Sequence, residues 1–103
     1  MKEYKVIITN KARLQLKMYI AYIKEKLRNP QAARALRDDA KETAKMLRQT
    51  AGAIKNLDNP ELGDYKKMPF LKHDYVMIFR VNGDVVYVER IYHELQDYEN
   101  HIE

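Results

Sequence analysis
The sequence predicts an α+β fold in the order β-α-α-β-β-β-α. A small, mainly antiparallel sheet carries a helical hairpin on one face, and a short C-terminal helix closes the chain. Three observations predict it. Two runs rich in β-branched and aromatic residues, 72–81 and 84–93, flank Asn82-Gly83. That dipeptide favours a two-residue reversal, because a type I′ turn needs positive φ at both central positions. Between 11 and 57, apolar residues recur at spacings of three and four, the period of a helix with one buried side. Asn, Pro and Gly gather at 29–30 and 58–63 and divide the chain at those points.

The elements follow in order. Tyr4-Lys-Val-Ile-Ile-Thr9 is a short strand. Asn10 is a good helix N-cap, and from Lys11 the period changes to that of a helix. Ala12, Leu16, Tyr19, Ile20, Ile23 and Leu27 form one stripe, and Leu14, Met18 and Tyr22 a second beside it. Two stripes imply a helix buried over most of its surface. Asn29-Pro30 breaks the chain and restarts it, since proline at the first helical position loses no hydrogen bond. In the second helix Ala33, Leu36, Ala40, Thr43, Leu47, Ala51 and Ile54 lie on one side. Gly52 in a helix interior costs about 1 kcal/mol, so this helix should end near Thr50. Residues 58–63 form a loop, and 65–72 a weaker strand with Pro69 at an edge or bulge.

The hairpin comes next. A loop of Asn82 and Gly83 places Val81 opposite Asp84, Phe79 opposite Val86, Met77 opposite Val88 and Tyr75 opposite Arg90. Because side chains alternate across a strand, Met77, Phe79, Val81, Val86 and Val88 share the face that the helices cover. The other face carries Val76, Ile78, Arg80, Val85, Tyr87, Glu89, Ile91 and His93. Partner contacts belong on that mixed face, through Arg80, Tyr87 and Glu89, with Lys66 and Lys67 on the preceding strand. Its exposed Ile78, Val85 and Ile91 would make the free chain associate with itself or need its partner for solubility. Leu95, Tyr98 and Ile102 fit a short terminal helix.

Composition bounds the function. A chain of 103 residues is one domain, with room for one core and none for a deep catalytic cavity. It has no cysteine, which excludes disulfides, zinc thiolate sites and a thiol nucleophile. No apolar run approaches the ~18 residues of a membrane span, and the first residues lack a signal peptide's apolar core. A cytoplasmic protein without membrane contact is expected. The formal net charge is +4, but the last ten residues hold four of the 15 acidic residues and no Lys or Arg. Before them stand 19 basic against 11 acidic residues, a net of +8. Such a body suits an anionic partner, either nucleic acid or an acidic peptide; a lysine surplus that serves only solubility is the other reading. The same two readings apply to the basic side of the second helix, with Arg34, Arg37, Lys41, Lys45 and Arg48.

Four local features in this order resemble the RelE/ParE superfamily of bacterial toxins from type II toxin–antitoxin modules. They are Tyr4-Lys-Val-Ile-Ile before a helix with Ala12 and Leu16; Asn29-Pro-Gln-Ala-Ala33; Ala53-Ile-Lys-Asn-Leu-Asp-Asn-Pro-Glu-Leu-Gly63; and Asp74-Tyr-Val-Met-Ile-Phe-Arg-Val with Val-Tyr-Val-Glu-Arg-Ile-Tyr-His93 and Asp97-Tyr-Glu. The resemblance covers nearly the whole chain. It implies a growth inhibitor silenced by a cognate antitoxin, without metal or other cofactor, which meets DNA only through the antitoxin complex. Some members of the superfamily cleave mRNA on the ribosome and others inhibit DNA gyrase. An inactive homologue that only binds its antitoxin is a third outcome.

The residues bear on that choice. Metal-independent RNA cleavage needs a proton-transfer group and cationic side chains at one point. The nuclease branch has an arginine straight after the tyrosine that Tyr75 matches, and here that position is Val76. Its His-Tyr pattern near the end of the last strand is met by His93, but Glu94 follows. Arg80 and His93, on one face, are roughly 25 Å apart at ~3.4 Å per residue, too far to share a phosphate. His93 with Lys72 is therefore the best catalytic pair, and a strand-end histidine bonded to the terminal helix is the plainer role. The missing arginine favours a ParE-like inhibitor that binds its target, with ribosome-dependent cleavage as the alternative.

Overall fold
A computed structural model describes residues 3–95 of the chain. The elements are β1 (Lys5–Ile8), α1 (Asn10–Ala21), α2 (Pro30–Thr50), β2 (Lys66–Pro69), β3 (Tyr75–Asn82) and β4 (Val85–His93). The strands form one sheet in the order β1-β4-β3-β2. β1 runs parallel to β4, and the other two pairs are antiparallel. A parallel pair needs a long crossover, and the helices supply part of it, lying over one face of the sheet. The expected α+β architecture is present. The expected terminal helix falls outside the described residues.

Local chemistry sets the helix ends. Thr9, not Asn10, is the N-cap of α1: its Oγ1 accepts the Ala12 N–H at 3.3 Å. A β-branched residue finishing a strand keeps extended backbone, which an N-cap also needs. Asn29 caps α2 by accepting the Ala32 N–H at 3.0 Å, with Pro30 at the first helical position. α1 does not run on to Leu27. It widens into a π-turn over Tyr22–Lys26, where Leu27 N–H reaches the Tyr22 carbonyl at 3.2 Å. The extra residue in that turn rotates Leu27 off the inner stripe, and it is 58% exposed. The second stripe of α1 is also outside the core, with Leu14 58%, Met18 64% and Tyr22 57% exposed. One layer of sheet can cover only one side of a helix that also packs beside α2. α2 ends at Thr50, as Gly52 suggested, and the chain tightens into a 3₁₀ turn at Ala51–Ala53. There the Tyr4 ring packs so closely over Gly52 that a Cβ would lie 2.2 Å from its hydroxyl.

The core lies between the helices and the sheet. It contains Ala12, Leu36, Ala40, Leu47, Ala51, Phe70, Met77, Phe79, Val86, Val88 and Ile91. The hairpin differs from the sequence-based register in two ways. The reversal is displaced by one residue: Asn82 pairs with Val85, and Gly83-Asp84 are central. Only Gly83 has positive φ, at +61°, and no residue but Arg28 among the described non-glycines does. This is the requirement of a type II′ turn, which wants glycine first, and not of type I′. The pairs become Val81 with Val86, Phe79 with Val88 and Met77 with Ile91. The shift is two positions in the partner, so the faces near the turn survive. Phe79, Met77, Val86 and Val88 are fully buried.

The second difference is a bulge between Ile78 and Phe79, opposite which β4 carries the extra residue Glu89. Two residues facing one invert the alternation beyond that point. Ile91 therefore turns into the main core, and Tyr75 is paired with His93, not with Arg90. Arg90 and Tyr92 move to the outer face, beside Ile78 and Val76. Val76, Ile78 and Tyr92 form a second small core there with Tyr65 against it. Ile78 and Ile91, expected to be exposed, are both fully buried.

Candidate functional site
Three regions of the surface carry chemistry. The first is built on Asp39, a buried carboxylate in the middle of α2. Its Oδ1 accepts the Leu71 N–H at 3.1 Å and the Thr43 hydroxyl at 3.2 Å. Its Oδ2 accepts the Lys72 N–H at 3.0 Å and meets His73 Nδ1 at 2.6 Å. Burial alone would raise this carboxyl, but the bonds from His73, Lys72 and Thr43 outweigh it and hold the group below its ordinary value. An ionised carboxylate only accepts, so His73 donates to it from Nδ1. His73 is about one third exposed. It lines a groove of about 440 Å³ with Lys72, Leu71, Ala35, Asp38 and Glu42. A carboxylate that fixes the tautomer of a partly exposed imidazole is an arrangement suited to proton transfer.

The second region is an aromatic cluster on the helix side. The Tyr75 ring meets Tyr19 at 4.9 Å, Phe70 at 5.7 Å and His93 at 5.0 Å between centroids. Burial pushes the hydroxyls of Tyr19 and Tyr75 up. His93 Nδ1 accepts the Leu95 N–H at 3.1 Å. Gln15 Oε1 takes the Ile91 N–H at 2.8 Å and so ties α1 to the bulged strand. His93 thus sits in ring contact at the end of β4. Lys72 lies three residues before the start of β3, on the groove wall with His73. The ladder puts Tyr75, and not Lys72, opposite His93. Arg80 and His93 no longer share a face, because the bulge lies between them.

The third region is the outer sheet face and the trench beside it. Arg80 bonds the Glu89 carboxylate, which raises the guanidinium, and lies 5.5 Å from the Tyr65 ring centroid. Tyr87 pairs with Arg80 across the ladder, and Lys67 with Ile78. Lys66 points the other way and donates from Nζ to the Ile54 carbonyl at 2.6 Å. On the open side of the helices, three adjoining hollows of about 260 Å³ each run from Pro30 to Arg48. The middle hollow shares Ile20 and Arg37 with the one toward Pro30, and Ile8, Arg13 and Lys41 with the one toward Arg48, so the three run on as one trench. Its floor is apolar, with Ile8, Leu16, Ile20, Ala40 and Ala44. Its rims carry Arg13, Lys17, Lys24, Arg34, Lys45 and Arg48. The basic side of α2 is one rim of a groove, not a plain solvated face.

Sequence reasoning named Lys72 and His93, which the ladder does not pair, and did not single out Asp39 and His73, which the structure brings together. Asp39 follows Asp38 in the charged run Arg37-Asp-Asp-Ala-Lys-Glu42, and its spacing of three from Leu36 and four from Thr43 was the available signal. Among the described residues, no three His, Asp or Glu side chains stand close enough to hold a metal ion. None of their helices is long and apolar enough to cross a membrane.

A helical hairpin on a four-stranded mixed sheet is the architecture that the resemblance to the RelE/ParE superfamily of toxins implied. Residues 6–98 match the family model described as the ParE toxin of the type II toxin–antitoxin system, parDE. The chain belongs to that family. It is similar in fold to a chain of the chromosomal ParDE toxin–antitoxin system from P. aeruginosa. That match has a TM-score of 0.75 and 22% identity over 88% of this chain and 96% of the other. It is also similar to a chain of the toxin–antitoxin complex RelBE2 from Mycobacterium tuberculosis, with a TM-score of 0.62 and 21% identity over 88% and 98%. No curated protein sequence matches it.

Proposed function
We propose that this type II toxin acts in the cytoplasm by binding its target, of the DNA gyrase class, and not by cutting RNA. The carrying observation is Val76. It occupies the position after Tyr75 where the nuclease branch has its arginine, and it is fully buried under Tyr92 and Tyr65. A buried aliphatic side chain supplies no charge to a phosphorane. The outer face, with Lys67, Arg80, Tyr87 and Glu89, is the target-contacting surface in this reading. The cognate antitoxin lays an acidic amphipathic segment in the trench, where an apolar floor between basic rims complements it.

One observation favours the alternative of ribosome-dependent mRNA cleavage: the Asp39–His73 pair beside Lys72. In that case His73, more than His93, is the proton-transfer group. Two assays separate the readings. Purified chain added to gyrase should abolish supercoiling, and primer extension on translated mRNA should show no new ends. Codon-linked cuts that disappear in His73→Ala or His93→Ala would overturn the binding reading. Unimpaired growth after induction would leave a homologue that only binds its antitoxin. Arg37→Glu with Lys41→Glu should weaken antitoxin binding in a salt-dependent way.

A further inference from the structure
The outward side of α1 is an unusual surface for a basic protein. Leu14, Met18 and Tyr22 follow one another at one-turn spacing and are each more than half exposed. None belongs to either core cluster. Lys11 precedes Leu14, Glu25 follows Tyr22 within the π-turn that continues α1, and both are exposed. The order is therefore Lys, Leu, Met, Tyr, Glu, centred on Met18. Read in the opposite direction, the order is Glu, Tyr, Met, Leu, Lys.

We propose that this stripe is the contact between two copies of the chain, packed as antiparallel α1 helices about a two-fold axis at Met18. A two-fold interface requires one patch to complement itself, with residue i meeting j and j meeting i. Here Met18 meets Met18, Leu14 meets Tyr22 from the other copy, and Lys11 meets Glu25. Each apolar residue finds an apolar partner, and each charge finds the opposite charge, twice. Ala21, exposed on the same side, leaves room for close approach of the helices. Lys17 and Lys24 do not oppose the pairing, because they turn to the trench beside α2. The sheet face from which self-association was expected cannot supply it, since Ile78 and Ile91 are buried. The contact is small, so the dimer forms at high concentration and dissociates on dilution.

Sedimentation equilibrium of the free chain over a concentration series tests this. The expected result is a mass that rises from monomer to dimer. Met18→Lys should keep it monomeric, and circular dichroism should report an unchanged fold. Lys11→Glu and Glu25→Lys should each weaken association several-fold, and the two together should restore it, as self-complementary pairing demands. The chain has no native cysteine, so Met18→Cys gives a second reading: under oxidation it should cross-link to a covalent dimer, whereas Lys17→Cys should not. A monomer at every concentration overturns the proposal. So does a dimer indifferent to Met18→Lys, or a double charge variant no better than the single ones. If Met18→Lys instead abolishes antitoxin binding to a monomeric chain, the antitoxin covers this face and the proposal fails.

Discussion

Replacing Asp39 by asparagine is the sharpest test of how the fold holds its loop. The carboxylate gathers two backbone N–H groups and one imidazole from the consecutive residues 71–73, and one hydroxyl from Thr43. It therefore pins the β2–β3 connection to the middle of α2. An amide keeps one acceptor oxygen and presents an NH₂ group to the donors on the other side. Two hydrogen bonds to a charged acceptor are lost, at about 1.5–3 kcal/mol each, leaving buried donors unpaired. The expected destabilisation is about 3–5 kcal/mol, as when one partner of a buried pair is removed. For a domain of this size each kcal/mol lowers Tm by roughly 4–8 °C, so the melting point should fall by at least ~12 °C. Urea denaturation at neutral pH measures the difference directly. Acid supplies the second arm. Because the folded carboxyl is held below its unfolded value of about 3.9, its contribution is complete above that pH. It is lost as pH falls through the lower, folded value, so the gap between wild type and Asp39→Asn should close there. A loss below about 1 kcal/mol, or a gap that does not narrow in acid, would refute the argument.

Two further predictions rest on single positions. Gly83→Ala should cost about 1–2 kcal/mol by thermal melting, since φ is +61° there and an L-residue is strained in that region; a neutral substitution would mean that the turn is not of type II′. Val76→Arg should destabilise by about 4 kcal/mol or more, because it places an unpaired charge in the second small core. A soluble, folded Val76→Arg chain with new mRNA-cleaving activity would show that this position is open after all.

Periodicity and punctuation were enough to establish the order β-α-α-β-β-β among the described residues. Asn29-Pro30 marks a helix start through bonds within one turn, whereas the cap of α1 falls on Thr9, one residue before the expected Asn10. Pro69 marks an edge strand because it cannot donate to a ladder on both sides. Alternation around the hairpin correctly assigned Phe79 and Val88 to the core. These are local effects, and each is visible within a few residues.

The tertiary structure decided what depends on partners far along the chain. Glu89 is an ordinary strand residue by composition, yet it becomes the bulge because Ile78 and Arg90 must pair on one side of it and Phe79 and Val88 on the other. That one extra residue exchanged the faces of Arg90, Ile91, Tyr92 and His93, and with them the expected catalytic pairing. Asp39 lies on a charged helix and reads as solvated; it is buried only because residues 71–73 bring it four donors in company with Thr43. Leu14, Met18 and Tyr22 have the spacing of a core stripe, but the sheet offers α1 a single face. A periodic pattern states that a surface is apolar, and only the packing of the whole chain states what, if anything, covers it.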